Sequence, residues 1–379
     1  MFLARGPGAL CMRRRPAFGH FAYRLFTTKS HDPLRILFCG SDEFSIASLK
    51  ALHDEHVKQP DRISSIDVVC RPGKKVGRGL KTIREVPIKA AATQLSLPIH
   101  EIDTFKGWTS PVLPEGPINL IIAVSFGLFV PPRILNGAKY GGLNVHPSLL
   151  PETGITLQTL HLKHFDHGAI LQQTPPPGFE IPASCTVQEL LDIVAPKGAE
   201  ILVDGIRKGL FVPPVEEAGW RSTDSTETLI HATKIIPEDR HIDWTTWRAM
   251  DISRRNRVIG PLWSKALVAT DHRPDKPSFQ YRRVIFTDLE EVEPLDGCGS
   301  FALIPGLPFV DSGHPVEPHP SKGLYVFTRD GRLLRVQKMK VEGEQNTDAL
   351  RAALKARMIG DKTFTSGNSQ FTPFYNPLQ

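Results

Sequence analysis

Apolar and polar positions follow two different rhythms along this chain. From residue 32 to residue 210, short apolar runs alternate with stretches of helical spacing. Arg35 to Gly40 (RILFCG) forms a compact strand, and Asp42 or Ser41 caps the next helix, whose Phe44, Leu49 and Leu52 make an apolar stripe. Ile66 to Cys70, a helix near Pro87 to Leu95, and Ile118 to Val124 continue the alternation. The pattern predicts a mostly parallel sheet with helices on both faces, and ligand sites at the carboxyl ends of its strands. Thr186 to Lys208 carries Leu190, Leu191, Val194, Ile201 and Ile206 on one face and predicts a long helix, which Pro196 is expected to kink or split. Residues 211–225 are rich in Pro, Glu, Ser and Thr and read as a linker. In 226–379 the rhythm changes to short strands, with signals at Ser300 to Ile304, Gly323 to Thr328 and Leu333 to Val341, as in a small β-barrel.

Composition supports two domains with real cores, since the chain has 379 residues and 40% hydrophobic content. The longest apolar stretch, around Ile118 to Val124, is interrupted by Asn119 and Ser125, so no membrane span is expected. The net charge is +6, and six basic residues lie in the first thirty: Arg5, Arg13, Arg14, Arg15, Arg24 and Lys29. No acid precedes Asp32. Residues 1–31 therefore read as a mitochondrial transit peptide, and the expected location is the matrix. A continuous apolar core, which a secretory signal needs, is missing, while a disordered basic tail also fits the composition. Because the leader accounts for the whole net charge, a nucleic-acid partner has to be argued from local clusters.

The cysteines, at 11, 39, 70, 185 and 298, form no CxxC pair, so reduced thiols are expected, with Cys39 and Cys70 in strand cores. Gly40 alone does not make a G-x-G-x-x-G fingerprint, and a tight turn explains it. The spacing of His161, His164 and His167 invites a metal reading, but no cysteine or second carboxylate completes a ligand set, and no metal is expected.

Gly141 to Pro151 reads GGLNVHPSLLP. Two glycines allow close backbone approach, Pro147 holds His146 extended, and residues two apart on a strand point the same way, so Asn144 and His146 converge. Such a pair can stabilise a carbonyl oxygen as it becomes tetrahedral, with the imidazole also moving protons. An isolated Asn-x-His equally fits a strand end with a buried, satisfied histidine. Downstream, KHFDHGAIL places Asp166 before a glycine and an apolar strand.

Together, Asn-x-His-x-Ser-Leu-Leu-Pro and Phe-Asp-x-Gly resemble the folate-dependent formyltransferases, which move a formyl group from 10-formyltetrahydrofolate to an amine. The resemblance implies that Asn144, His146 and Asp166 are the catalytic triad and that Ser148, Leu149, Leu150 and Pro151 lie against the folate. Three further stretches resemble the methionyl-tRNA formyltransferases: the RILFCG opening, LIIAVSFGLFVPPRIL (Leu120 to Leu135) and ATKIIPEDRHIDW (Ala232 to Trp244). This likeness implies an α/β fold, a Rossmann-like, mostly parallel sheet formyltransferase domain over 32–210 followed by a smaller OB-like β-barrel domain that holds tRNA. The loop from Arg71 to Arg84 packs Arg71, Lys74, Lys75, Arg78, Lys81 and Arg84 among glycines without an acid. By itself it reads as a solvated basic loop or a phosphate-wrapping one. By resemblance it meets the acceptor end of the initiator methionyl-tRNA. A monomer is expected.

One departure stands inside the expected site. After Pro151 the family runs through an Arg-x-Arg-Gly-like turn and a helix, whereas this chain passes directly to GluThrGlyIleThr at Glu152. Losing that helix is expected to shift Asn144 and His146 relative to Asp166 and to impair the activity.

Overall fold

The computed structural model describes residues 29–77, 79–147, 154–219, 234–270, 278–293, 304–310, 324–358, 360–361, 370–371 and 374. The chain forms two compact units, the first comprising 1–149, 154–176 and 195–221, and the second 150–153, 177–194 and 222–379.

The first unit opens with β1 (Leu34–Gly40) and α1 (Glu43–Lys58). Asp42 caps α1 by accepting a hydrogen bond from the Ser45 backbone N–H at 3.1 Å, and Phe44, Leu49 and Leu52 are buried as the stripe predicts. β2 (Ile63–Cys70), a hairpin of β3 (Lys74–Val76) and β4 (Thr82–Arg84), α2 (Pro87–Gln94) and β5 (Ile99–Glu101) come next. A two-residue pair, β6 (Val112–Leu113) and β7 (Gly116–Pro117), precedes β8 (Leu120–Val124), α3 (Pro132–Leu135) and β9 (Gly142–His146). β10 (Thr156–Thr159) and β11 (Ile170–Gln173) complete the sheet, and α4 (Val187–Lys208) comes after them.

Seven strands lie in the order β11-β10-β9-β8-β1-β2-β5. β8, β9, β1, β2 and β5 pair in parallel, and β10 and β11 add antiparallel. The order reverses between β1 and β8, where the Ser41 hydroxyl donates to the Phe126 carbonyl across the gap at 3.3 Å. That reversal is where a crevice opens in a doubly wound sheet. Leu37 and Cys39 face one core with Ile121, Phe126 and Leu135. Burial pushes the Cys39 thiol well above its ordinary range and that of Cys70 up to about 11, which suits packing rather than reactivity.

α4 continues through Pro196, so of the kink or split expected there the split does not occur. Proline removes one backbone bond, while Ala195, Ala199, Leu202 and Ile206 are buried on the sheet side and hold the helix in place. Two glycines set its distance from the sheet. A Cβ on Gly198 would lie 2.7 Å from Phe44 and one on Gly205 2.3 Å from Leu157. Residues 211–219 lie against this unit, with Phe211 buried and the Ala218 N–H bonded to the Ile170 carbonyl at 2.8 Å.

The second unit contains α5 (Ala249–Ile259), β12 (Leu262–Ala269), β13 (Phe279–Val292), β14 (Pro308–Val310), β15 (Leu324–Phe327) and β16 (Leu333–Val341). After them come β17 (Thr347–Asp348), α6 (Ala349–Lys355), β18 (Gly360–Asp361) and β19 (Gln370–Phe371). The antiparallel strand order is β12-β13-β16-β15-β14-β19-β18. A bridge from Val268 in β12 to Met358, just before β18, brings the two ends of this order together, so the sheet curls on itself. Trp244 fills the core between Phe286 and Phe374, with ring centroids at 6.1 and 5.7 Å. The strand signals at Gly323 to Thr328 and Leu333 to Val341 correspond to β15 and β16, whereas residues 300–303 lie outside the described residues. Among the described residues, no helix is long and apolar enough to cross a membrane.

Candidate active site

β9 carries Asn144 and His146 on one face of the strand, at its carboxyl end. Its antiparallel partner β10 places Gln158 opposite Asn144 and Thr156 opposite His146. Asp166 arrives from the connection between β10 and β11, and Gly168 makes that approach sterically feasible. A Cβ at Gly168 would fall 1.6 Å from the Thr159 carbonyl oxygen. The connection is closed by the Thr159 N–H donating to the Ala169 carbonyl and the Ala169 N–H donating to the Thr159 hydroxyl, each at 2.9 Å. Asp166 itself takes a left-handed backbone, φ +58°, which Asp tolerates better than most residues.

The three side chains meet. Asn144 Nδ2 donates to Asp166 Oδ1 at 3.4 Å, and His146 Nε2 stands 3.7 Å from Asp166 Oδ2. Gln158 Nε2 donates to the same Oδ1 at 3.3 Å. Asn144 and His146 thus both stand within 3.7 Å of Asp166 across the stretch after Pro151. Pairing of β10 directly to β9 puts Gln158 and Asn144 in register across the short connection, and the sheet does the positioning. They line a cleft of about 250 Å³ whose walls include Phe126, Leu128, Phe129, Val130 and Leu160. The Phe129 and Phe165 rings meet edge to face at 5.3 Å on its rim. An apolar cleft with a few convergent polar groups is the usual form of a small-molecule site.

His161, His164 and His167 cluster beside it, with ring centroids 5.4 to 6.2 Å apart. Among the described residues, no group of His, Cys, Asp or Glu is arranged to hold a metal ion. Ser148, Leu149, Leu150 and Pro151, the expected folate contacts, lie outside the described residues, as does Arg78.

Lys74, Lys75, Lys81 and Arg84 stand exposed on the β3–β4 hairpin, together with Leu80 and Ile83. Lys74 lies directly opposite Arg84 in the ladder, a like-charge pairing that costs stability unless an anion comes between. Gly77 and Gly79, at φ +82° and +77°, turn the hairpin tip. Arg71 differs from the others, since its Nη2 pairs with Asp103 Oδ1 at 3.4 Å.

Gln158, Phe129 and Phe165 are site residues that reasoning from sequence missed. Gln158 joins the site only through its register with Asn144, which no local pattern encodes.

Comparison with known proteins identifies the family. A family profile described as Formyl transferase matches residues 34–153. The mitochondrial methionyl-tRNA formyltransferase of Saccharomyces cerevisiae is 30% identical over 306 residues, covering 67% of this chain and 74% of that protein. The chain belongs to the methionyl-tRNA formyltransferase family. Within the family, the mitochondrial protein of Homo sapiens is 29% identical over 60% of this chain and 57% of its own length. The protein of Cereibacter sphaeroides is 29% identical over 60% and 75%. The profile match ends two residues past Pro151.

Proposed function

We propose that this chain transfers the formyl group of 10-formyltetrahydrofolate to the α-amino group of initiator methionyl-tRNA, in the mitochondrial matrix and as a monomer. The observation that carries this reading is the meeting of Asn144, His146 and Asp166 at the carboxyl end of β9, in a cleft with apolar walls. Asn144 and His146 donate hydrogen bonds to the formyl oxygen as the carbon becomes tetrahedral, where developing charge rewards them most. Asp166 faces His146 Nε2 and supports the imidazole while it holds the proton taken from the attacking amine. An amine of this kind titrates near 7.7 to 8.0 and offers a neutral, nucleophilic fraction around neutral pH. His146 then returns a proton to N10 of the departing tetrahydrofolate, so no covalent link to the enzyme is required. The apolar walls, with Phe129 and Phe165 at the rim, suit a flat folate ring.

Acceptor choice separates this reading from other formyl transfers. The exposed Lys74, Lys75, Lys81 and Arg84 make a basic hairpin that fits phosphate. Offered methionyl-tRNA, glycinamide ribonucleotide or water alone, the enzyme is expected to formylate the methionyl-tRNA. Preferential transfer to glycinamide ribonucleotide, or hydrolysis only, would overturn the assignment of acceptor. Import is tested separately by fusing residues 1–31 to a reporter, which should enter mitochondria. A reporter left wholly in the cytosol contradicts the proposed location.

A further inference from the structure

We infer that Gln158 is a positioning residue for the formyl transfer, fixing the Asp166 carboxylate so that one oxygen is left to His146. Gln158 sits in β10, only 5% exposed, at a place where a buried amide is costly unless bonded. Its Nε2 donates to Asp166 Oδ1 at 3.3 Å, the same oxygen that accepts from Asn144 at 3.4 Å. Two amides on Oδ1 leave Oδ2 as the oxygen toward His146, at 3.7 Å.

The need for such an anchor arises from where Asp166 stands. Its carboxylate is 50% exposed and its backbone is left-handed, in a connection whose neighbours Phe165 and His167 are also exposed. A short side chain there can turn toward solvent. Gln158 is rooted instead in a strand paired on both edges, to β9 and β11, and directly opposite Asn144. The rigid sheet therefore sets both Asn144 and, through Gln158, the orientation of Asp166. Gln158 touches no reacting atom in this scheme and acts through Asp166 alone.

The catalytic consequence rests on the formyl-transfer reading, while the placement of the carboxylate does not, and the test uses both. Gln158→Met keeps length and removes the donor. Crystal structures of the unaltered and Gln158→Met chains should show the Asp166 carboxylate turned away from His146 in the variant, by about 1 Å or more. In kinetics the same change should lower kcat by roughly tenfold to a hundredfold, with KM for both substrates within about threefold. In an Asp166→Asn background, adding Gln158→Met should change kcat by less than about twofold, because the path through Asp166 is already gone. Gln158→Asn, which keeps the buried site polar but withdraws the amide, carries the same readouts if the methionine variant does not fold. An Asp166 carboxylate that stays in place, or losses that simply add in the double variant, would overturn the role. If the unaltered chain transfers no formyl group, the reading of the site fails, and the crystal structures alone decide whether Gln158 holds Asp166.

Discussion

At the scale of single residues, the proposed mechanism asks hydrogen bonds to act on one oxygen and one proton. Asn144→Ala removes a donor to the developing oxyanion and should cost roughly a hundredfold to a thousandfold in rate, with folate binding retained. Asp166→Asn keeps the shape but not the charge that supports His146, and a loss of about a hundredfold or more in kcat is expected. Single-turnover transfer at saturating folate measures both, and rates within about threefold of the unaltered chain contradict these roles. Strand alternation and a proline put Asn144 and His146 on one face from sequence alone, whereas Asp166 is marked only by the resemblance of Phe-Asp-x-Gly to the formyltransferases. Gln158 could not be read from sequence, because its chemistry depends on a partner strand whose register is set by tertiary pairing.

At the scale of elements, one local constraint shapes the site and another ties two helices together. Gly168 lets the connection carrying Asp166 pass against the Thr159 carbonyl. Gly168→Ala should force this close approach apart, destabilise the fold by about 3 kcal/mol and lower the rate, since overpacking against backbone has no cheap relief. Thermal melting beside the rate checks this, and an unchanged midpoint would show that the backbone gives way freely. The second constraint ties α1 to α4. Buried Glu55 accepts from Arg207 Nη2 at 2.6 Å and also pairs with Arg62, and the Arg207 bond leads in holding its carboxyl below the ordinary value of 4.5. A carboxyl depressed by folding stabilises the protein fully above its unfolded value, and that contribution is lost as pH falls through the lower folded one. Urea midpoints measured from pH 5 downward should therefore fall more steeply for the unaltered chain than for Glu55→Gln, and parallel curves would contradict the linkage. Helix stripes such as Phe44, Leu49 and Leu52 were legible because one face meets one sheet. β13 was not, since it mixes exposed aromatic and charged residues with only two buried ones, Val284 and Phe286.

At the scale of the whole molecule, a mostly parallel sheet carries the cleft, and the proposed reading assigns the acceptor to the basic hairpin. Lys74 and Arg84 are opposed in the ladder, a like-charge pairing that phosphate would relieve under the proposed reading. Neutralising Lys74, Lys75 and Lys81 together should raise KM for methionyl-tRNA and flatten its salt dependence by about one unit of slope for each phosphate no longer neutralised. An unchanged slope would make the hairpin a solvated face only. The short stretch after Pro151 points on sequence alone to an impaired enzyme, while in the fold β10 pairs directly with β9 and Asn144 meets Asp166 at 3.4 Å. The decisive measurement is single-turnover transfer of labelled formyl from 10-formyltetrahydrofolate to methionyl-tRNA by this chain and by its His146→Ala variant, with folate affinity determined alongside. The unaltered chain should formylate the tRNA, and the variant should be slower by roughly a hundredfold to a thousandfold at similar folate affinity. A folded, unaltered chain that transfers nothing, or a His146→Ala variant that transfers as fast, would contradict the proposed reaction.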